Sequence, residues 1–378
     1  MAVHEPTFSI GIEEEYLLVD LDTRDLVSEP PRALIDEFET SLGGRFSREF
    51  LRTQLEVGTA VCNSIQDARA ELAHLRGTVA EIARGHGLAP IAASTHPFAR
   101  WRAQKHTDKL RYRVLHQDMQ VVAQRLLICG MHVHVGIEED DLRIDILNQV
   151  SYFLPHLLAL STSSPFWEGT ETGLKSYRLC VFDELPRTGL PERFESYGEF
   201  RRTVDLMISA KLLEDSTKLW WDVRPSARFP TVEMRITDVC TRLDDAVCCA
   251  ALYRCICRML YRLRRDNQRW RVYAPILVNE NRWRAQRYGV DKGMVDFGQG
   301  EIVPFSDLTE ELFVLLDEDM EHFGCVAEVK HAKEIIKRGT SSHQQVETYR
   351  KAQECGSTHE EALREVVDWL IGATVDGI

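Results

Sequence analysis

The stretch Gly11–Asp20, GIEEEYLLVD, sets three consecutive glutamates inside a run that otherwise reads as a strand. Side chains alternate across a strand, so Glu13 and Glu15 share one face while Glu14 points to the other. Side-by-side carboxylates repel, and burial sharpens the repulsion unless a cation or protons compensate. An edge strand or solvated face would carry the same charge without that conflict. Which of the two holds depends on what the remaining strands present.

Working outward, EFLRTQLEVGTAVC (Glu49–Cys62) alternates well enough for a second strand, with Glu56 between Leu55 and Val57 and Glu49 one strand length earlier. An unpaired buried carboxylate at such a position is costly. RLLICGMHVHVGI gives a strand through Ile137 that carries His132 and His134 on one face. LWWDVRPSARFPTVEMRITDV gives two more, Leu219–Arg224 and Thr231–Val239, the latter with Glu233 and Arg235 on one face. Magnesium favours carboxylate and phosphate oxygens, and manganese also accepts imidazole, so a sheet face of this composition can hold such ions. Simpler readings exist for single residues: a histidine in an apolar strand is commonly a hydrogen-bonded core residue, and Arg235 can serve Glu233 as a salt-bridge partner. Arg178 and Arg187, in LKSYRLCVFDELPRTG, are expected in a loop, where forked guanidinium groups suit carboxylates and phosphates.

Around these strands the pattern is helical. Helices are expected near 31–39 after Pro30 and Pro31, from about 64 to 84 with Leu72, Leu75, Val79 and Ile82 on one face, and near 107–123, 140–160 and 198–212. LAPIAAS reads as a buried strand, and from Asp244 onward the chain is mainly helical. With no repeat, low-complexity tract or linker, residues 1–378 are expected to form a single catalytic domain.

The 378-residue chain is 44% hydrophobic and carries 46 basic against 59 acidic side chains, a net charge of -13 that argues against a nucleic-acid surface. Ten irregularly spaced cysteines point to a reducing cytoplasm, and those in CCAALYRCIC match no zinc pattern. No run reaches the roughly twenty apolar residues of a membrane span. Phosphate-cradling glycine motifs are missing, as is a Gly-x-Ser-x-Gly nucleophile turn. Any phosphate would have to be held by metal ions and arginines.

Taken together, GIEEEYLLVD, TQLEVGT, CGMHVHVG and VEMRITD resemble, in order and spacing, the motif strands of the glutamate-cysteine ligase family, in its short bacterial type 2 branch of carboxylate-amine ligases. The resemblance implies an α+β fold: a curved antiparallel β-sheet funnel with helices packed outside, like the glutamine synthetase catalytic domain. It implies that Glu13, Glu15, Glu56 and Glu233 hold divalent ions with His132 beside them, and that Glu49 occupies a further acidic position. Arg235 would meet the transferring phosphate, with Glu233 beside it in the catalytic pair. Arg178 would bind the substrate amino acid's carboxylate, with Arg187 behind it.

The implied cofactors are ATP and magnesium, with manganese as the alternative. The implied reaction joins the γ-carboxylate of L-glutamate to the amine of L-cysteine through an acyl phosphate. A homodimer acting on small molecules, without nucleic-acid or membrane partners, completes the expectation. Two other classes compete: a metal-dependent hydrolase using His132 and His134, and a non-catalytic nucleotide- or metal-binding homologue. Dependence on ATP separates the first from a ligase, and magnesium-dependent ADP release separates the second.

Overall fold

The computed structural model describes residues 4–378. Its main strands are β1 (Ile10–Asp20), β2 (Phe46–Arg48), β3 (Gln54–Gly58), β4 (Leu88–Ile91), β5 (Met131–Gly136), β6 (Val223–Pro225) and β7 (Thr231–Met234). They form one seven-stranded sheet in the order β6-β7-β5-β1-β3-β2, with β4 also paired to β1. Every pairing in it is antiparallel. The length of β1 explains its central place. Ile10–Glu14 pairs with β5, Glu13–Leu17 with β3, and Leu17–Asp20 with β4.

The alternation in β1 separates two environments. Ile10, Ile12, Glu14 and Tyr16 are buried beneath the helices, while Gly11, Glu13 and Glu15 are half-buried on the opposite face. Helix Ile65–Gly85 packs Leu72, Leu75 and Val79 inward, and its N-terminus is capped by Ser64, whose hydroxyl accepts the Asp67 N–H at 3.0 Å. Helix Leu243–Arg265 lies beside it and is buried almost all round from Leu243 to Tyr261. Its alanines and cysteines are small enough to admit close neighbours. Cys248, Cys249, Cys255 and Cys257 are core residues, and all ten cysteines are free thiols.

Glu14 is the carboxylate that β1 sends into this core. Arg76 of helix Ile65–Gly85 meets it with two hydrogen bonds, Nε at 2.8 Å and Nη2 at 2.6 Å, and Tyr16 Oη donates to Glu14 Oε2. Arg76 also donates to the carbonyls of Cys240 and Thr241 at 2.8 and 2.7 Å, tying the sheet to the segment before helix Leu243–Arg265. Removing one partner of a buried ion pair leaves an uncompensated charge and costs about 3–5 kcal/mol. Arg76→Met is therefore expected to lower unfolding stability by that amount, measured by urea titration, without altering the residues of the opposite face. A change below about 1 kcal/mol, the scale of exposed pairs, would show that the pair carries no structural weight.

Several elements are shorter or more broken than the sequence suggests. The second strand is confined to Gln54–Gly58, leaving Glu49 in the connection after β2. The expected helix at 107–123 divides into Leu110–Met119 and Val121–Gln124 around Gln120, whose φ is 48°. The one expected at 140–160 divides into Asp140–Val150 and Leu154–Ser161, the second with Pro155 in its first turn. The mainly helical C-terminal part includes a hairpin, Met294–Asp296 with Glu301–Val303. Arg178 opens a short helix, Arg178–Phe182, where a loop was expected. Among the described residues no helix is long and apolar enough to cross a membrane.

Candidate active site

The strand register assembles the polar face in three rungs. Ser47, Glu56 and Glu15 lie abreast on β2, β3 and β1. In the next rung Glu13 sits between Gly58 of β3 and His132 of β5. In the third, Gly11, His134, Glu233 and Arg224 follow one another across β1, β5, β7 and β6. These rungs floor a cavity of about 400 Å³, whose walls also include Glu49, Phe50, Lys109, Tyr112, Arg178, Lys218, Trp220 and Arg235.

Three groups of side chains bring potential ligand atoms within 4.8 Å of one another: Glu15 with Glu49 and Glu56, Glu13 with Glu56 and His132, and Glu13 with His134 and Glu233. The electrostatics differ along the row. Burial, reinforced by the neighbouring Glu49 carboxylate, pushes Glu15 up to about 7. Burial and repulsion from Glu49, Glu13 and Glu15 push Glu56 well above the usual carboxylate range. Glu13 behaves oppositely: burial works to raise it, yet the neighbouring imidazoles of His132 and His134 hold it far below. Burial and the Arg235 charge bring His132 down to about 4, leaving a neutral imidazole.

The donor set fits divalent cations. Glu15, Glu49 and Glu56 supply an all-oxygen group of the kind magnesium takes, and their mutual repulsion calls for positive charge. His134 offers a second sign. Its Nδ1 is 2.9 Å from Thr231 Oγ1, while its buried Nε2 has no hydrogen-bond partner among the described residues and lies 3.6 Å from Glu13 Oε1. An imidazole oriented by one nitrogen with the other left open is how ligating histidines are held. The family resemblance carries no role over to His134, which only the hydrolase alternative takes as a ligand, although its spacing from His132 places it on the same face.

Glu233 is more heavily engaged than expected. Arg224 chelates it with Nε at 2.9 Å and Nη2 at 3.0 Å, and Arg235 Nη1 donates to Oε1. Burial would raise its pKa, but the two guanidinium groups hold it well below the carboxylate range. Arg224 was missed because its partner is set by strand pairing nine residues away, across a turn. Arg235 retains a buried Nε without a partner among the described residues. Such a donor at the cavity wall suits an anion.

Arg178 sits beside Gly130, where a Cβ would lie 2.5 Å from Nη2, so glycine clears the path of the guanidinium. Its Nη1 and Nη2 donate to the carbonyls of Ile236 and Arg235, each at 3.2 Å. Gly130 N–H in turn donates to Glu15 Oε2 at 2.7 Å, linking Arg178 to the acidic row. Arg187 is not brought to the cavity wall. Its Nε donates to the Lys218 carbonyl at 3.2 Å and its guanidinium lies 5.5 Å from the Trp220 ring, so it stands behind two lining residues.

The raised carboxylates predict a pH dependence. A carboxyl whose folded pKa exceeds its unfolded value binds more protons in the folded state. The stability it contributes is fully present below the unfolded value of about 4.5 and is lost as pH rises through the folded one, here about 7 for Glu15. Metal-free protein is therefore expected to melt at lower temperature at pH 8 than at pH 6, through this row. Magnesium should raise the melting temperature more at pH 8 and release protons on binding, read by calorimetry in buffers of different ionisation enthalpy. Equal magnesium stabilisation at both pH values, with no proton release, would contradict the assignment.

A sheet face of carboxylates, imidazoles and arginines around one cavity suits divalent ions together with an anionic substrate. The model of the Glutamate-cysteine ligase family 2 matches residues 9–368. A candidate glutamate-cysteine ligase 2 from Rhodospirillum rubrum is 61% identical over 377 residues, covering 99% of this chain and 97% of its own. One from Jannaschia is 56% identical over 364 residues, covering 96% of each. The chain belongs to glutamate-cysteine ligase family 2 and is a carbon-nitrogen bond-forming enzyme.

Solved structures share the fold at low identity. A glutamate-cysteine ligase from Francisella tularensis in complex with AMP aligns with TM-score 0.70 and 14% identity, over 100% of this chain and 90% of its own. A bifunctional glutathione synthetase from Pasteurella multocida aligns with TM-score 0.69 and 15% identity, over 97% of this chain and 52% of its own.

Proposed function

We propose that the enzyme joins the γ-carboxylate of L-glutamate to the amine of L-cysteine, with ATP converted to ADP and phosphate by way of a γ-glutamyl phosphate. The observation that supports this best is the meeting of Glu13, Glu15, Glu49, Glu56 and His132 with Arg178 and Arg235 around one cavity. Membership of the family supports the substrate pair, and the geometry supports the roles.

Glu15, Glu49 and Glu56 are the residues that would hold one divalent ion and Glu13 and Glu56 with His132 a second, beside the group of Glu13, His134 and Glu233. Divalent ions bound there would neutralise phosphate charge and align the transferring group. Magnesium is the metal proposed, with manganese the alternative where imidazole takes part. Arg235 approaches this row with its unpaired Nε and would bind a phosphoryl oxygen, stabilising charge that spreads during transfer. Glu233, clamped by Arg224, fixes the Arg235 fork in place. Arg178 keeps further N–H donors beyond those used by two carbonyls and would bind the α-carboxylate of the donor amino acid. Arg187 would act indirectly, by supporting Lys218 and Trp220.

The same reading takes residues 1–378 as one catalytic domain, since apolar side chains from Phe8 to Leu370 join one core cluster. It takes the protein as a cytoplasmic homodimer: all ten cysteines are free, and Leu206, Leu212, Ile276 and Trp283 are exposed apolar groups that a second copy would cover. The test of function is ADP release with ATP, magnesium and L-glutamate, with and without L-cysteine and then a panel of other amines, with products identified by mass spectrometry. Release that needs both amino acids, with a γ-glutamyl dipeptide formed, supports the proposal. A product with a different amine would replace cysteine as acceptor, and no release with any pair would remove the ligase chemistry.

A further inference from the structure

Two of the cavity arginines, Arg178 and Arg235, come from separate segments, and an arginine outside the cavity joins them. Arg282 lies in helix Pro275–Tyr288 of the C-terminal half and is 8% exposed. Its Nη1 and Nη2 donate to the Asp183 carboxylate at 2.8 and 2.9 Å, and its Nε and Nη2 donate to the Asp222 carboxylate at 2.7 and 3.2 Å. Asp183 follows the short helix that Arg178 begins. The backbone carbonyl of Asp222 accepts the N–H groups of Arg235 and Ile236 at 2.7 and 3.0 Å. The carbonyls of those same two residues accept the Arg178 guanidinium. The contacts form a closed circuit from Arg178 through Asp183, Arg282 and Asp222 to Arg235 and back.

One turn further along the helix, Gln286 faces the same segment. Its side-chain Nε2 is 3.0 Å from Cys180 Sγ, and its backbone carbonyl accepts the N–H groups of Lys175 and Ser176 at 2.9 and 3.1 Å. Positions i and i+4 of a helix share a face, so Arg282 and Gln286 act together as a splint along 175–183. Neither lines the cavity.

We propose that Arg282 is a positioning residue that fixes the spacing of Arg178 and Arg235, and thereby the affinity for the anionic amino-acid substrate. The kinetic part rests on the ligase reading above; the structural part does not. A planar guanidinium can bridge two carboxylates at once, whereas a lysine ammonium is a point charge. Displacing a binding group by about 1 Å can cost about a hundredfold in rate.

The experiment compares wild type with Arg282→Lys, Arg282→Gln and Gln286→Leu. It measures KM for L-glutamate and for ATP, the fraction of folded protein, and the Arg178 guanidinium position in crystal structures. The expected result is a rise of about tenfold or more in KM for glutamate in Arg282→Gln, a smaller rise in Arg282→Lys, and ATP KM within about twofold of wild type. Arg178 should be displaced in each Arg282 variant that folds. Should Arg282→Gln fail to fold, Gln286→Leu, which leaves the ion pairs intact, is expected to raise the glutamate KM about threefold. An unchanged glutamate KM and an unmoved Arg178 in Arg282→Lys and Gln286→Leu, with only stability lowered, would overturn the proposal. A wild type that makes no product removes the ligase reading instead, and the displacement of Arg178 then decides the positioning role.

Discussion

Glu56→Gln is expected to abolish magnesium-dependent turnover, by about a thousandfold or more, while leaving the fold intact. The scale is that of removing one preorganised group that meets developing charge. Glu56 lies opposite Glu15 in the register and shares two of the three candidate ligand groups, so one substitution touches both ion positions. Glutamine keeps the volume and removes the charge. Because burial and three neighbouring carboxylates already press Glu56 toward its protonated form, the neutral side chain relieves repulsion in the metal-free protein. Its melting temperature at pH 8 without metal should therefore equal or exceed that of wild type, while the shift produced by magnesium shrinks. Full ADP-forming activity in this variant would remove the metal-cradle account of the acidic strands.

A second large effect is expected at Arg235. Arg235→Lys should lower kcat by about a thousandfold, within the range found when an arginine that stabilises phosphoryl transfer is removed. Lysine keeps the charge but loses the planar fork that can hold Glu233 and present Nε to an oxyanion at once. The fold should survive, since Glu233 remains chelated by Arg224. Stopped-time ADP assays with thermal melts of both proteins separate the two effects. A variant within about tenfold of wild type would show that charge alone suffices at this position and that the fork has no catalytic part.

Much of this site is legible in the sequence because strand periodicity is strict. Glu13 and Glu15 share a face, His132 and His134 share a face, and the pairing of β1 with β5 and β3 brings these faces together without any gap that alternation could not supply. The broken helices at Gln120 and near Pro155 were harder, since apolar spacing continues across a break that backbone geometry imposes. Partners made by topology were harder still. Arg224 reaches Glu233 across a strand pair, and Arg282 reaches Asp183 and Asp222 from a helix far along the chain. Arg76 left one trace: it interrupts the apolar face of Leu72, Leu75 and Val79, a place for charge only if another buried charge waits there. Glu14 is that charge. Arg187 shows the opposite limit, since its neighbourhood with Arg178 in sequence did not place it at the same wall.

The central claim is that the acidic sheet face and Arg235 serve transfer of a phosphoryl group to a carboxylate. The most direct measurement follows oxygen. L-glutamate labelled with ¹⁸O in its γ-carboxylate is turned over with ATP, magnesium and the accepted amine, and the inorganic phosphate is analysed by mass spectrometry. The account predicts one labelled oxygen carried from the carboxylate into each phosphate released with product. Unlabelled phosphate accompanying product formation would mean that no acyl phosphate is made, and the account would be wrong at its centre.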